Sequence, residues 1–225
     1  MAPRTWTSAA LAAAIDHTLL AADATPERIE RLCAEARAHA FAAVCVNGAH
    51  VRLAAGRLAG SGVAVCAVVG FPLGAMAARA KVEEARLALD DGARELDMVL
   101  ALGALKAGDD VGVVLDVAGV AELAHARGAR LKVILETGLL ASDEIERAAR
   151  LAVAGGADFV KTCTGFGPRG ASLEDVRRLR AAVGPEVGVK ASGGVRTRAF
   201  ALELLEAGAT RLGTSAGVAL VRESR

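Results

Sequence analysis

Aromatic residues are scarce in this chain. They make up 3% of its 225 residues, with one tryptophan and no tyrosine. Proteins that bind nucleic acid usually combine a basic surface with aromatic side chains that stack on bases. Here 27 lysines and arginines stand against 26 aspartates and glutamates, and the formal net charge is +1. We therefore expect no nucleic-acid partner.

Long apolar runs and a cysteine framework are also missing. Each apolar run is soon broken by charge or glycine and is too short to span a bilayer, so we expect no membrane partner. The apolar N-terminal stretch runs into Asp16 and His17 without a good cleavage context, and we interpret it as mature sequence. The widely spaced cysteines at positions 33, 45, 66 and 163 contain no pair with metal-ligand spacing. These features predict a cytoplasmic protein without a metal, whose cysteines are mostly small core residues.

The sequence that is present repeats one unit. A Gly or Ala pair precedes a short β-rich run, then a polar loop, then a helix with apolar residues at i, i+3 and i+4. Eight such runs start about 20 to 36 residues apart, which is the length of a βα unit. Strands that alternate with helices can form a doubly wound sheet or a closed barrel. The regular repeat, the length and the lack of a second domain favour one (β/α)8 TIM barrel over residues 1–225.

Strand alternation predicts which side chains point into that barrel, because successive residues of a strand face opposite sides. The inward residues are Lys161 and Cys163, Lys190 and Ser192, Lys132 and Glu136, Asp97, Asp16 and Thr18, and Cys45 and Asn47. Three lysines and three carboxylates would then meet at the C-terminal mouth, where barrel enzymes hold their chemistry.

Two interpretations of these charges remain open from the pattern alone. They can form a structural network of ion pairs. Alternatively, the repulsion between neighbouring ammonium groups at Lys161 and Lys190, together with desolvation, favours loss of a proton from one of them. We favour the second interpretation, in which Lys161 attacks a carbonyl and forms a Schiff base.

Glycine-rich loops follow the last three predicted strands, with the sequences "TGFGPRG", "SGGVRT" and "GTSAG". Glycines allow backbone N–H groups to converge on an anion, and barrels often bind phosphate in this quadrant. Residues 165–170 also satisfy the G-x-G-x-x-G pattern of dinucleotide folds. Such folds need an acidic residue at the end of the next strand, whereas Glu186 precedes that strand and Pro168 lacks an N–H group. We therefore disfavour a nicotinamide cofactor.

Several strings in the chain carry a family resemblance. They are "DHTLL", "VCVN", "VVGFPLG", "ELDMVL", "LKVILETG", "ADFVKTCTGFGPRG", "VGVKASGGVRT" and "RLGTSAGVAL". In this order, and over almost the whole chain, the sequence resembles the deoxyribose-phosphate aldolases, a family of class I aldolases. The resemblance implies that Lys161 forms the Schiff base, that Lys190 tunes it and shares in proton transfer, and that Asp97 donates and accepts protons. It also implies a substrate pocket of Asp16, Thr18, Cys45 and Lys132, and a phosphate site of Gly165, Gly193, Gly194, Gly213 and Ser215.

The implied reaction is the reversible cleavage of 2-deoxy-D-ribose 5-phosphate to acetaldehyde and D-glyceraldehyde 3-phosphate, with no metal or organic cofactor. The partners would be phosphorylated sugar and aldehyde substrates, and a homo-oligomer is compatible with this family. The alternatives are another Schiff-base aldolase with a different acceptor, or a non-catalytic barrel that binds phospho-sugars. The chain departs from the family pattern at Gly48, Cys163 and Phe166, where a proline, a serine and, in some members, a phosphate-binding lysine are expected. It also lacks the tyrosine with which many members end.

Overall fold

The eight predicted strands form a closed parallel barrel. The computed structural model describes residues 6–222 of the chain. Each strand pairs in parallel with the next, and the last pairs with the first, so the predicted (β/α)8 barrel is confirmed. The strands are β1 (Ile15–Leu19), β2 (Ala43–Val46), β3 (Ala64–Val69), β4 (Glu95–Val99), β5 (Arg130–Ile134), β6 (Phe159–Lys161), β7 (Gly188–Ser192) and β8 (Arg211–Thr214).

The helices surround the barrel; the first of them precedes β1 and the others follow strands. They are α1 (Ser8–Ala12), α2 (Pro26–His39), α3 (Val51–Leu58), α4 (Ala78–Asp90), α5 (Leu102–Lys106), α6 (Asp110–Ala126), α7 (Ser142–Ala154), α8 (Leu173–Val183), α9 (Arg198–Glu206) and α10 (Gly217–Arg222). Short 3₁₀ turns cover Gly48–His50 and Thr137–Leu139. The sequence pattern did not predict α1, α5 and α10, because helices of five or six residues are too short to display an apolar period. Within residues 6–222, no helix is long and apolar enough to cross a membrane.

Ser142 and Ser172 are each followed within two residues by an acidic residue, a pattern that predicts a helix N-cap at both serines. Ser172 caps α8, where its side chain accepts the N–H of Asp175 at 3.1 Å. The prediction for Ser142 is wrong, because Ser142 is the first helical residue of α7 and Ala141 holds the cap position. Glu144 accepts the N–H of the cap residue Ala141 at 2.8 Å, although no hydroxyl caps the first turn.

The sequences "DDGA", "ARGA" and "EAGA" predict glycine C-caps at three of the long helices, and the structure confirms them. Gly92, Gly128 and Gly208 have φ of 108°, 66° and 116° and follow α4, α6 and α9 directly after the capping residue. This left-handed conformation turns the chain back toward the next strand, and it favours glycine because a Cβ would be strained there.

Apolar side chains form two separate cores. The larger core fills the space between the barrel and its helices. The smaller core lies inside the barrel and contains Leu20, Ala43, Cys45, Cys66 and Val68. Because β2 and β3 supply mainly these apolar groups, the charged side chains inside the barrel come from the other strands.

Candidate active site

Seven buried charged side chains meet inside the barrel. We call them the interior charge cluster: Asp16 from β1, Glu95 and Asp97 from β4, Lys132 from β5, Lys161 from β6, Lys190 from β7 and Arg211 from β8. Ion pairs of 4 Å or less connect all of them. Asp16, Asp97 and the three lysines therefore point into the barrel, as strand alternation predicts.

Asp97 is the centre of this cluster. Its Oδ2 accepts hydrogen bonds from the Nζ atoms of Lys161 and Lys190, each at 2.7 Å. Its Oδ1 accepts one from Lys132 Nζ at 2.8 Å. Burial alone would raise the pKa of Asp97, but the three ammonium groups outweigh burial and hold that pKa well below its ordinary value. Asp97 is therefore an ionised carboxylate in the barrel interior.

Lys190 sits between two carboxylates. It donates to Asp16 as well as to Asp97. Burial alone would lower the pKa of Lys190, but the negative charges of Asp16 and Asp97 raise it above its ordinary value. The pKa of Asp16 is lowered in turn, because Lys190, Lys132 and Arg211 outweigh its burial. Lys190 therefore stays an ammonium ion.

Glu136 does not join the cluster, contrary to the expectation from alternation. Strand β5 ends at Ile134, and Glu136 has the left-handed backbone angles φ 50° and ψ 61°. This turn directs its carboxylate to Thr164, whose hydroxyl and N–H both donate to Oε2. The alternation that begins at Lys132 therefore breaks where the strand ends, so a residue past that point cannot be assigned a face.

Glu95 supplies the third carboxylate in its place. Its Oε2 accepts from Lys132 Nζ at 2.7 Å and from Arg211 Nη1 at 3.1 Å. Sequence reasoning missed both Glu95 and Arg211. The signal was present, because Glu95 lies two residues before Asp97 in "ELDMV" and the same alternation turns both inward.

Two thiols lie against the same carboxylate. Cys45 and Cys66 are register partners on β2 and β3, so both side chains enter the barrel. Cys66 donates to Asp97 Oδ1 at 3.1 Å and accepts from Lys132 Nζ at 3.3 Å, whereas Cys45 Sγ is 3.9 Å from Asp97 Oδ2. Linear spacing gave no sign of this pair, because the two cysteines belong to different βα units.

Thr18 borders the cluster at the C-terminal end of β1. It is half-buried, and its hydroxyl donates to the backbone oxygen of Asp16 at 2.9 Å. Its register partner on β2 is Cys45. The role of Thr18, Cys45 and Lys132 in a substrate pocket stays a prediction.

The glycine loops lie after β6, β7 and β8. Gly165, Gly193 and Gly194 have φ of 88°, 88° and 76°. The first two loops touch, because a Cβ on Gly170 would lie 2.3 Å from the Gly193 oxygen. Ser215 is exposed directly after β8. These residues thus share one side of the barrel mouth.

Gly213 differs from the other glycines in position. It lies within β8, and a Cβ there would be 2.9 Å from Ser192 Cβ and 3.1 Å from Lys190 Cε. The missing side chain therefore leaves room for Lys190 in the barrel interior.

Phe166 faces another part of the mouth. Its ring meets the Phe71 ring edge-on with 5.3 Å between centroids, and its side chain is 59% exposed. The Phe166 ring lines a pocket of about 260 Å³ between the segments that follow β3, β4, β5 and β6. The pocket lining includes Pro72, Leu73, Leu102, Glu136, Leu139 and Phe166.

The structure is a (β/α)8 barrel in which buried lysines surround one carboxylate. This arrangement is that of a class of enzyme in which a lysine forms an imine with a carbonyl compound. The comparison with known families agrees with this class. The model of the family described as "DeoC/LacD family aldolase" matches residues 10–224, and the chain belongs to that family.

Named relatives are similar over nearly their whole length. The chain is 54% identical over 207 residues to a deoxyribose-phosphate aldolase of Brevibacillus brevis, covering 92% of this chain and 93% of the relative. It is also 54% identical over 213 residues to one of Thermococcus gammatolerans, covering 94% and 95%. The chain is also similar to a solved structure, described as a unique tetrameric structure of deoxyribose phosphate aldolase from Aeropyrum pernix. The TM-score is 0.90 and the sequence identity is 36%, and the match covers 96% of this chain and 91% of the other.

Proposed function

We propose that this chain reversibly cleaves 2-deoxy-D-ribose 5-phosphate to acetaldehyde and D-glyceraldehyde 3-phosphate. The observation that carries the proposal is the contact of Lys161 and Lys190 with the single oxygen Oδ2 of Asp97. An amine that can add to an aldehyde thus lies beside an ammonium ion and a carboxylate that can move protons. Two relatives named deoxyribose-phosphate aldolase, each 54% identical to this chain, support the choice of substrate.

In this proposal Lys161 is the nucleophile. Its neutral amine adds to the C1 aldehyde of the open-chain sugar, and the adduct loses water to give an iminium ion. A proton then leaves the C3 hydroxyl, the C2–C3 bond breaks, and its electron pair moves into the iminium group to form an enamine. D-Glyceraldehyde 3-phosphate departs, C2 takes up a proton, and water releases acetaldehyde and the free amine.

The charges around the three lysines support the choice of Lys161. Lys132 contacts three carboxylates, Asp16, Glu95 and Asp97, and Lys190 contacts two. Among the described residues, Lys161 has an ion pair only with Asp97. Each carboxylate stabilises a neighbouring ammonium group, and Lys161 has the fewest such neighbours of the three lysines.

The other residues of the site have supporting roles in this proposal. Asp97, with Lys190 and an ordered water, moves the protons of the carbinolamine and the enamine. Burial alone would lower the pKa of Lys132, but Asp97 and its neighbours raise it well above the ordinary value, so Lys132 acts as a permanent counter-ion to Asp97. Asp16 holds Lys190, and Thr18 and Cys45 shape the aldehyde pocket.

The sugar phosphate would bind on the glycine-loop side of the mouth. We assign it to the backbone around Gly165, Gly193 and Gly194, to Gly213 and to Ser215. The support is the positive φ of the three loop glycines, because such turns aim consecutive N–H groups at one point.

One pair of measurements tests the function. A coupled assay that consumes glyceraldehyde 3-phosphate should report cleavage of deoxyribose 5-phosphate without any added metal or cofactor. Borohydride added with acetaldehyde should leave a stable adduct on Lys161, located by peptide mass spectrometry. An adduct without cleavage would indicate a Schiff-base aldolase with another substrate, and the absence of both would favour a barrel that only binds phospho-sugars.

We also propose a cytoplasmic location and a homo-oligomer. The four cysteines are all unpaired, as is usual in a reducing compartment.

Two observations support the proposed homo-oligomer. The relative from Aeropyrum pernix is described as tetrameric, and Val111 and Leu115 are 70% and 65% exposed one turn apart on α6. Sedimentation of the native chain and of Leu115→Glu tests the oligomer, which should dissociate in the variant if α6 lies in the interface.

A further inference from the structure

The most concentrated set of metal-binding groups in the barrel is Cys45, Cys66 and Asp97. One ligand atom from each of the three lies within 4.8 Å of the others, and all three residues are buried. Two cysteines on paired strands and a carboxylate on the next strand therefore converge on one point. The fold brings them together although the cysteines lie far apart in the sequence.

The spacing of these atoms is close to that of a tetrahedral site. With metal–sulfur bonds of about 2.3 Å and metal–oxygen bonds of about 2.0 Å, tetrahedral angles put sulfur and oxygen about 3.5 Å apart. The observed distances fall on either side of this value, at 3.1 Å from Cys66 Sγ to Oδ1 and 3.9 Å from Cys45 Sγ to Oδ2 of Asp97. The two distances end on different oxygens of Asp97, so one oxygen can bind the ion together with both thiolates only after the carboxylate rotates.

The charge of the barrel also permits a cation at this point. Three ammonium groups surround Asp97, so an added divalent ion with no compensation would be strongly repelled. Each bound thiol, however, releases its proton: M²⁺ + 2 RSH → M(SR)₂ + 2 H⁺. The net charge of the interior is then unchanged, and this compensation requires an ion that prefers thiolate ligands.

We propose that Cys45, Cys66 and Asp97 form an inhibitory site for a thiophilic divalent cation such as Zn²⁺ or Cd²⁺. The ion takes two thiolates and one carboxylate oxygen, and its fourth position is open to water or another small ligand. A metal bond to Oδ2 of Asp97 removes the acceptor that Lys161 and Lys190 share. The cation therefore blocks the site and is not a cofactor of the reaction.

Titration of the reduced, chelator-treated native protein with Cd²⁺ tests the site. We expect an ultraviolet thiolate-to-cadmium charge-transfer band that saturates at one equivalent, with two protons released per ion. Activity should fall in proportion to the band and return when EDTA removes the ion. The band does not depend on the reaction, so it tests the metal site even if the proposed aldolase activity is wrong.

Cys66→Ala should lose the band at one equivalent, whereas Cys33→Ala should keep it. Cys33 is the matched control, because it is an equally buried thiol that lies on α2 outside the barrel. Far-ultraviolet circular dichroism verifies that both variants are folded. The proposal is overturned if the native protein gives no band, if Cys66→Ala retains it, or if activity falls without it.

Discussion

Lys161 and Lys190 donate to the same oxygen, Oδ2 of Asp97, each at 2.7 Å. The interior charge cluster to which they belong has four cationic side chains and three carboxylates. Fully ionised, it carries one positive charge more than it can balance. Loss of one proton from a lysine makes the whole cluster neutral. The lysine that loses this proton is then a neutral amine, which is the form that can act as a nucleophile. The following predictions depend on this arrangement.

Replacement of the nucleophile is the most direct test. Lys161→Met should abolish both cleavage and borohydride trapping. The fold should persist, since Asp97 keeps the ammonium groups of Lys132 and Lys190 and methionine fills a similar volume. Steady-state assays, mass spectrometry of the trapped protein and circular dichroism measure the three properties. An adduct on Lys190 in this variant would reverse the assignment.

Lys190→Met should lower kcat about 10²-fold or more, because a positioned proton-transfer group is lost. It should also move the acidic limb of the pH–rate profile to higher pH, since the positive charge beside Lys161 has been removed. Asp16 keeps Arg211 at 2.6 Å, so the floor of the barrel should stay paired. A lower rate with an unmoved limb would count against electrostatic coupling of the two lysines.

Asp97→Asn should lower kcat about 10²-fold or more while the amide keeps the size of the carboxylate. Borohydride trapping with acetaldehyde distinguishes a lower kcat caused by the lost proton transfer from one caused by misfolding. Trapping should slow but still locate to Lys161, because the nucleophile remains. A variant that cleaves substrate at the native rate would remove Asp97 from the proposed mechanism.

Site residues that lie within regular strands could be predicted from the sequence, whereas residues in irregular turns could not. Alternation assigned Lys132, Lys161 and Lys190 correctly, because each lies within a strand and the period of two is fixed by backbone geometry. It failed at Glu136, which lies past the end of β5 in a left-handed turn that no strand pattern reveals.

Contacts between different βα units were less accessible. The pairing of Cys45 with Cys66 depends on strand register, and alternation within a single strand carries no information about its neighbour's register. The position of the Phe166 ring against Phe71 depends on two loops meeting, and loops carry no period. Glu95 and Arg211, in contrast, could have been found by applying the same alternation over the whole of β4 and β8.

The pH dependence of stability should reflect the same cluster. The pKa values of Asp16 and Asp97 are held below their ordinary value of 3.8, so their stabilisation is present above pH 3.8 and is lost as the pH falls below it. The pKa values of Lys132 and Lys190 are raised above 10.5, so their stabilisation is present below pH 10.5 and is lost as the pH rises beyond it. Urea unfolding across the pH range measures both limbs.

A variant separates this cluster from the surface carboxylates. Asp97→Asn should show a shallower decline of the free energy of unfolding in acid than the native chain, because only Asp16 of the depressed pair remains. The exposed change Glu203→Gln is the control and should keep the native slope. Equal slopes in all three proteins would mean that the cluster does not govern acid stability.

Gly213→Ala tests whether Lys190 depends on the space that the missing side chain of Gly213 leaves inside the barrel. A Cβ at Gly213 would be 3.1 Å from Lys190 Cε and 2.9 Å from Ser192 Cβ, so one of these side chains must move. We expect a loss of stability of about 1–3 kcal/mol from overpacking. We also expect a fall in kcat accompanied by a changed pH–rate profile, since Lys190 would leave Oδ2 of Asp97.

Gly56→Ala is the matched control, because a Cβ on this exposed residue of α3 meets nothing within 4 Å. If Gly213→Ala lowered stability but left kcat and the pH profile unchanged, the glycine would serve packing alone and Lys190 would not need its observed position.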